Sequence, residues 1–183
     1  MKEFFAHSIE GKPVDEWHRL EEHLKGTAEL AAPLAAEFGC GEWGYLAGLW
    51  HDIGKYSPEF QRYIRAVDDP DSHIEGKPGR VEHSTAGAIH ATEKFKTAGR
   101  IFSYLIAGHH AGLADWETAE AGRKSLVQRL QNIDLLNNLP FADIPHQVIE
   151  QSFPKQKFIT SDGHALWIRM LYSCLVDADF LDT

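Results

Sequence analysis

An all-α domain is what the sequence predicts, because apolar residues recur at helical spacing through most of the chain and no run of strands, internal repeat or low-complexity segment interrupts them. The first helix is expected from Glu16 to Phe38, where Trp17, Leu20, Leu24, Leu30, Leu34 and Phe38 form the apolar face. It begins after Pro13 and Asp15 and stops at Gly39. A second runs from about Glu42 to Ile53 and is closed by Gly54. A third starts at Ser57-Pro58, a capping residue followed by proline at the first helical position, and carries Phe60, Tyr63, Ile64 and Val67. Residues 68–80, DDPDSHIEGKPGR, have no apolar period and read as a loop. Helical patterns resume over Glu82 to Thr97 and Arg100 to Gly108, then, after a loop at Ala111 to Gly122, over Arg123 to Asn138. Residues 139–160, with Pro140, Pro145 and Pro154, form the longest irregular connection, a length that often carries function or a partner contact. The last helix, from about Gly163 to Leu181, follows the capping candidates Ser161 and Asp162.

A length of 183 residues with 43% hydrophobic content suits a single domain covering residues 1–183. There is no charged start followed by an apolar run, and no stretch near the roughly 20 apolar residues of a membrane span, so a cytoplasmic protein is expected. Cys40 and Cys174, with no C-x-x-C, read as reduced core residues rather than a disulfide or thiolate zinc site. A formal charge of -9 argues against gripping nucleic acid through the overall field. A polyanionic substrate would need a metal, a partner, or local contacts such as Arg62, Arg65, Arg123, Lys124 and Arg129, each weighed against a solvated helix face.

Eleven histidines are the unusual feature of the composition. Five polar clusters lie in or beside apolar helical stretches: His23 in LEEHLKGTAEL, His51-Asp52 in LWHDIGK, His83 in VEHSTAG, His109-His110 in IAGHHAGL, and Asp177 and Asp179 in LVDADFLDT. A lone histidine such as His23 reads more readily as a partly exposed or hydrogen-bonded core residue than as a ligand. The pair His51-Asp52 does not, because an ionised carboxylate beside buried apolar surface is costly unless paired or metal-bound. Neighbouring helical side chains diverge by about 100°, so they converge on a metal only near a helix end or between two metals, and Gly54 supplies such an end. His109-His110 repeats that arrangement between Gly108 and Gly112. Histidines and carboxylates contributed by several helices are how bundles build interior metal sites. A set of about four imidazoles with one or two carboxylates favours Mn, Fe, Co, Ni or Zn, one or two ions per site, with Mg open where substrate phosphates complete the shell. Such a site would turn a bound water into a hydroxide nucleophile, so hydrolysis is the simplest chemistry.

The order EEHL, LWHDIGK, VEHSTAG, AGHHAGL, LVDADFLDT resembles the HD superfamily of metal-dependent phosphohydrolases, and more narrowly the HD nuclease domain of the CRISPR-associated nuclease-helicase of type I systems. The segments AHSIEGKPVDEWHRLEEHL and GLWHDIGKYSPEFQRYI are similar to the same subfamily, so the likeness covers nearly the whole chain. The resemblance implies a helical bundle of about six to eight helices around a buried metal site. It implies His51 and Asp52 as the defining pair, with Asp52 bridging two ions, and His83, His109 and His110 as downstream ligands. Asp179 matches the closing aspartate, with Asp177 the alternative; His23 matches the N-terminal histidine, with His18 a substitute. Lys55 matches a catalytic lysine that stands near the metals without ligating them and neutralises charge on the substrate phosphate. His7, His73, His90, His146 and His164 match nothing and read as surface or core residues.

The resemblance further implies cleavage of single-stranded DNA, or RNA, in CRISPR interference, with a helicase domain or subunit and the RNA-guided surveillance complex as partners. It leaves open a stand-alone subunit or the N-terminal part of a longer nuclease-helicase. Two other readings stand beside it. One is a phosphohydrolase of nucleoside phosphates or cyclic nucleotides, which suits the acidic charge. The other is a non-enzymatic helical module holding a structural ion.

Overall fold

The apolar stripe beginning at Trp17 becomes helix α1, Leu20–Ala36, in the computed structural model, which describes residues 2–66, 81–118, 124–155 and 163–183. The helix starts later than the expected Glu16 because the preceding chain has other partners. Val14–Glu16 form a 3-10 turn, and His18–Arg19 (β2) pair antiparallel with Phe5–His7 (β1). This short ribbon, unseen in the sequence, does not alter the all-α class.

Helix α2, Gly41–Trp50, packs along α1, where Ala28, Ala31 and Ala35 face Gly44 and Gly48 and let the backbones approach closely. A 3-10 turn over Ile53–Tyr56 follows, then α3, Pro58–Ala66, whose start is capped as expected: the Phe60 amide donates to Ser57 Oγ at 3.2 Å. Helices α4, Ser84–Phe95, and α5, Arg100–Gly108, match the predicted pair. The single helix expected over Arg123 to Asn138 is instead two short ones, α6 at Leu126–Leu130 and α7 at Asp134–Asn137. Only Leu126 and Leu136 are buried there, and so sparse an apolar face does not hold one continuous helix. Within the predicted irregular connection, Phe141–Asp143 form a 3-10 turn and His146–Ile149 form α8. Helix α9, His164–Asp182, closes the fold. The readings at 68–80, 119–123, 156–160, Ser161, Asp162 and His73 lie outside the described residues. Among the described residues, six helices run for nine residues or more, and no helix is long and apolar enough to cross a membrane.

The core is aromatic. Trp43 stacks on Phe102 at 4.9 Å and meets Trp167 edge-on at the same distance. Trp50 is fully buried and donates its indole N–H to the Val148 carbonyl at 2.8 Å, anchoring the long connection to α2. Cys40 and Cys174 are buried free thiols, with the Trp167 indole N–H directed at Cys40 Sγ. A smaller cluster of Phe5, Phe60 and Ile64 seats the ribbon on α3. Buried Gln61 stitches it in place, accepting from the Phe5 amide and donating to the Phe5 and Lys55 carbonyls.

Of the two readings left open for His90, surface or core, the structure places it in the core, packed edge-on against Trp50 at 4.6 Å. Burial lowers its pKa to about 4, against the raising effect of a hydrogen bond to the Ile149 backbone. The folded protein therefore refuses a proton that the unfolded chain accepts near 6.5. Unfolding free energy should fall as pH drops from about 6.5 toward 4, and His90→Phe should flatten that part of a urea-denaturation series; an unchanged slope would remove His90 from the account.

Candidate metal centre

Helix ends deliver most of the side chains. His51 is the C-cap of α2 and Asp52 the residue that opens the 3-10 turn, so the chain changes direction between them and both side chains turn inward. His83 caps the start of α4, His109 the end of α5, and His110 follows in the turn. His23 comes from the first turns of α1 and Asp179 from the last turns of α9. Gly54 sits so close to the His83 turn that a Cβ would lie 1.9 Å from the His83 carbonyl oxygen. Gly54 was expected to close α2, but the helix ends at Trp50 and the glycine lies within the 3-10 turn, where it serves backbone contact between two ligand turns.

These residues form two groups joined at Asp52: His23, His51, Asp52 and Asp179 in one, and Asp52, His83, His109 and His110 in the other. The carboxylate faces both. Oδ2 lies 3.4 Å from His23 Nε2 and from His51 Nε2, while Oδ1 lies 3.4 Å from His83 Nε2 and from His109 Nε2. Asp179 Oδ1 completes the first group, 3.4 Å from His23 Nε2 and 3.3 Å from His51 Nε2. Asp177 is exposed and in neither group, so the geometry selects Asp179.

The spacing fits ions. Donors held about 2.1 Å from a metal lie roughly 3.0–3.4 Å from one another in octahedral or tetrahedral shells. Both Asp52 oxygens and His109 Nε2 are buried without a hydrogen bond. The histidine tautomers agree. Nδ1 of His51 donates to the Gly48 carbonyl at 2.6 Å, that of His109 to the Ile106 carbonyl at 2.6 Å, and that of His83 to the Val81 carbonyl at 3.1 Å. His23 Nδ1 donates to Asp182 Oδ2 at 2.7 Å. Each Nε2 then points inward, where His23 and His51 stand 3.1 Å apart and His83 and His110 3.2 Å apart. Two imidazole nitrogens facing one another at that distance can share one cation, a proton or a metal ion.

A third group, His18, His23 and Asp182, differs in kind. Its closest pair, His23 Nδ1 to Asp182 Oδ2 at 2.7 Å, is a direct hydrogen bond rather than a ligand–ligand spacing, and His18 stands 3.7 Å from the same oxygen. Asp182 thus orients His23 from behind, over Gly26, whose missing Cβ leaves room for the carboxylate. Sequence reading missed Asp182, although its spacing of three from Asp179 puts both on one helix face.

Lys55 lies beside the ligand groups and belongs to neither. It is fully buried, with Nζ 2.6 Å from Asp52 Oδ2 in an ion pair whose angles fall short of a hydrogen bond. Burial by itself would raise the Asp52 carboxyl; the Lys55 ammonium and the surrounding imidazoles outweigh it and hold the group well below the usual carboxylate range. Burial likewise acts to lower His51, but Asp52 and Asp179 prevail and hold it up to about 10. Burial acts to lower His23 as well, but the Asp179, Asp182 and Asp52 carboxylates prevail and raise it.

The HD domain family model matches residues 20–139. No curated protein matches the chain.

Two predictions follow from this geometry. Asp52→Asn should abolish uptake of both ions, Asp179→Asn should lose one, and Asp177→Asn should lose none, as counted by elemental analysis of the gel-filtered protein; loss of an ion in Asp177→Asn would move the site. Since ions must displace protons from His51 and His23, apparent affinity should rise with pH between 6 and 9 with measurable proton release, and a flat profile would contradict the assigned ligands.

Proposed function

The chain belongs to the HD-domain family of metal-dependent phosphohydrolases, and from that premise we propose that it is a nuclease hydrolysing the phosphodiesters of single-stranded DNA, with RNA as a second substrate. The observation that carries the reading is the shared carboxylate: two four-donor groups meet at Asp52, each with three buried members and one partly exposed one, His110 or Asp179. Divalent ions bound there supply Lewis-acid activation of water and neutralise charge on the phosphate. The residues do the rest. Asp52 sets the separation of the two groups, so that an attacked and a departing oxygen can be served at once. Lys55 offsets the charge of Asp52 from within the protein. Burial of His23, His51, His83 and His109 leaves the His110 and Asp179 side as the approach for a phosphodiester.

The narrower assignment, to CRISPR interference with a helicase domain or subunit delivering the strand and an RNA-guided surveillance complex selecting it, rests on the flanking segments of the sequence. The charge of -9 favours such delivery, because the overall field of the chain repels DNA rather than holding it. Two of the candidate local contacts are engaged elsewhere. Arg65 bonds to Gln61 and to the Glu3 carbonyl, and Arg129 is folded into the interior. The same charge favours a second reading, hydrolysis of nucleoside phosphates or cyclic nucleotides, which need no extended basic groove.

Stripping the protein of metal and restoring Mn, Ni, Co, Fe, Zn or Mg separately should give degradation of labelled single-stranded DNA with at least one ion and little of duplex DNA. Turnover of nucleotides with no DNA degradation in any ion would overturn the nuclease reading in favour of the second.

A further inference from the structure

We infer that Arg129 is a positioning residue that sets the spacing of the His83 and His109-His110 turns, and so controls ion binding in that half of the centre selectively; this rests on the two-ion reading above. The guanidinium donates to four acceptors on two separate turns. Nε donates to Thr85 Oγ1 at 2.9 Å, and Nη2 donates to Ser84 Oγ at 2.9 Å and to Glu82 Oε1 at 3.1 Å. Nη1 donates to the Ala107 carbonyl at 2.6 Å. Glu82 and Ser84 are the immediate neighbours of His83, and Ala107 lies two residues before His109.

Each contact fixes something the ligands need. Glu82 Oε1 also accepts the Thr85 amide at 2.8 Å, satisfying one of the unpaired N–H groups at the start of α4 and fixing the backbone from which His83 projects. The Ala107 carbonyl lies in the last turn of α5, where no intrahelical donor remains, and the guanidinium takes that place. Arg129 itself is held by a capping box, with Ser125 Oγ accepting from the Gln128 amide and Gln128 Oε1 accepting from the Ser125 amide. The Leu126 and Val127 amides donate to the Asp115 and Trp116 carbonyls, tying α6 to the chain that follows His110. A planar fork with five donors spans both turns; a lysine, with one nitrogen, cannot. These four bonds run to the turns that carry His83 and His109-His110, the half of the centre in which its effect is expected.

The test uses the whole chain, stripped of metal and titrated with Co²⁺ by calorimetry and visible absorption. Wild type should take up two ions. Arg129→Lys and Arg129→Gln should keep one at wild-type affinity and bind the other tenfold or more weakly, with the corresponding absorption band lost, in line with the roughly 10–100-fold effect of outer-shell changes on metal affinity. Thr85→Val, which removes one acceptor and keeps the charge, should give a smaller change in the same ion only, and keeps the test open if the arginine variants fail to fold. Adding Asp179→Asn to Arg129→Lys should remove the remaining tight ion. Two ions bound at wild-type affinity in the variants, or equal weakening of both, would overturn the assignment of Arg129. A wild-type protein that takes up a single ion would instead overturn the two-ion reading, and this inference with it.

Discussion

The Asp52 carboxylate is the constraint on which the centre depends. It is fully buried, faces imidazoles from α1, α2, α4 and α5 through its two oxygens, and has one fixed positive neighbour in Lys55. A carboxylate in that position is tolerable only while those neighbours stay in place, because its desolvation is repaid by charge at 2.6–3.4 Å rather than by water. Helices α1, α2, α4 and α5 therefore each contribute a ligand and stabilise Asp52 with it, while α9 brings the second carboxylate, Asp179. Fold and site are coupled: α1 must lie tightly on α2, α4 must reach the 3-10 turn at Gly54, and α9 must return along α1 to bring Asp179 and Asp182 to His23.

Helix termini solve a directional problem in this arrangement. Two consecutive residues of a continuous helix cannot both face one small volume. At the end of α2 the backbone leaves the helix between His51 and Asp52, and at the end of α5 it does so between His109 and His110. The same ends expose backbone carbonyls, and these are what the Nδ1 atoms of His51 and His109 find, three residues back in each case. The terminus thus places the ligand and sets its tautomer with one geometry.

Much of this was legible in the sequence because ligands adjoining apolar helical stretches stand out as polar residues where none should be affordable. His23, His51-Asp52, His83 and His109-His110 all came together as expected. Asp177 and Asp179 could not be separated that way, because α9 carries apolar side chains on its exposed face too, including Leu166, Met170 and Phe180, so its buried phase is not readable from hydrophobicity. The three-residue strand β1 is too short to show a period of two, and its pairing is bulged. Lys55 was read as standing near the metals without ligating them, and the 3-10 turn carries it under Asp52. Arg129 belongs to a different category: its role depends on two turns more than twenty residues away being adjacent in space, and no local pattern encodes that.

Charge balance explains why protons and metal ions occupy this space in turn. Asp52, Asp179 and Asp182 bring three negative charges against the single positive charge of Lys55, leaving two uncompensated in a largely buried volume. Without ions, protonation of His51 and His23 restores the balance, which is why both are raised despite burial. The other half holds no comparable surplus: His110 is lowered, first by burial and then by the neighbouring His109. That half has fewer anions to draw its imidazoles together around Asp52 Oδ1, so the position of its two turns must come from the backbone. The guanidinium of Arg129, bonded to the residues flanking His83 and to the carbonyl preceding His109, supplies that constraint.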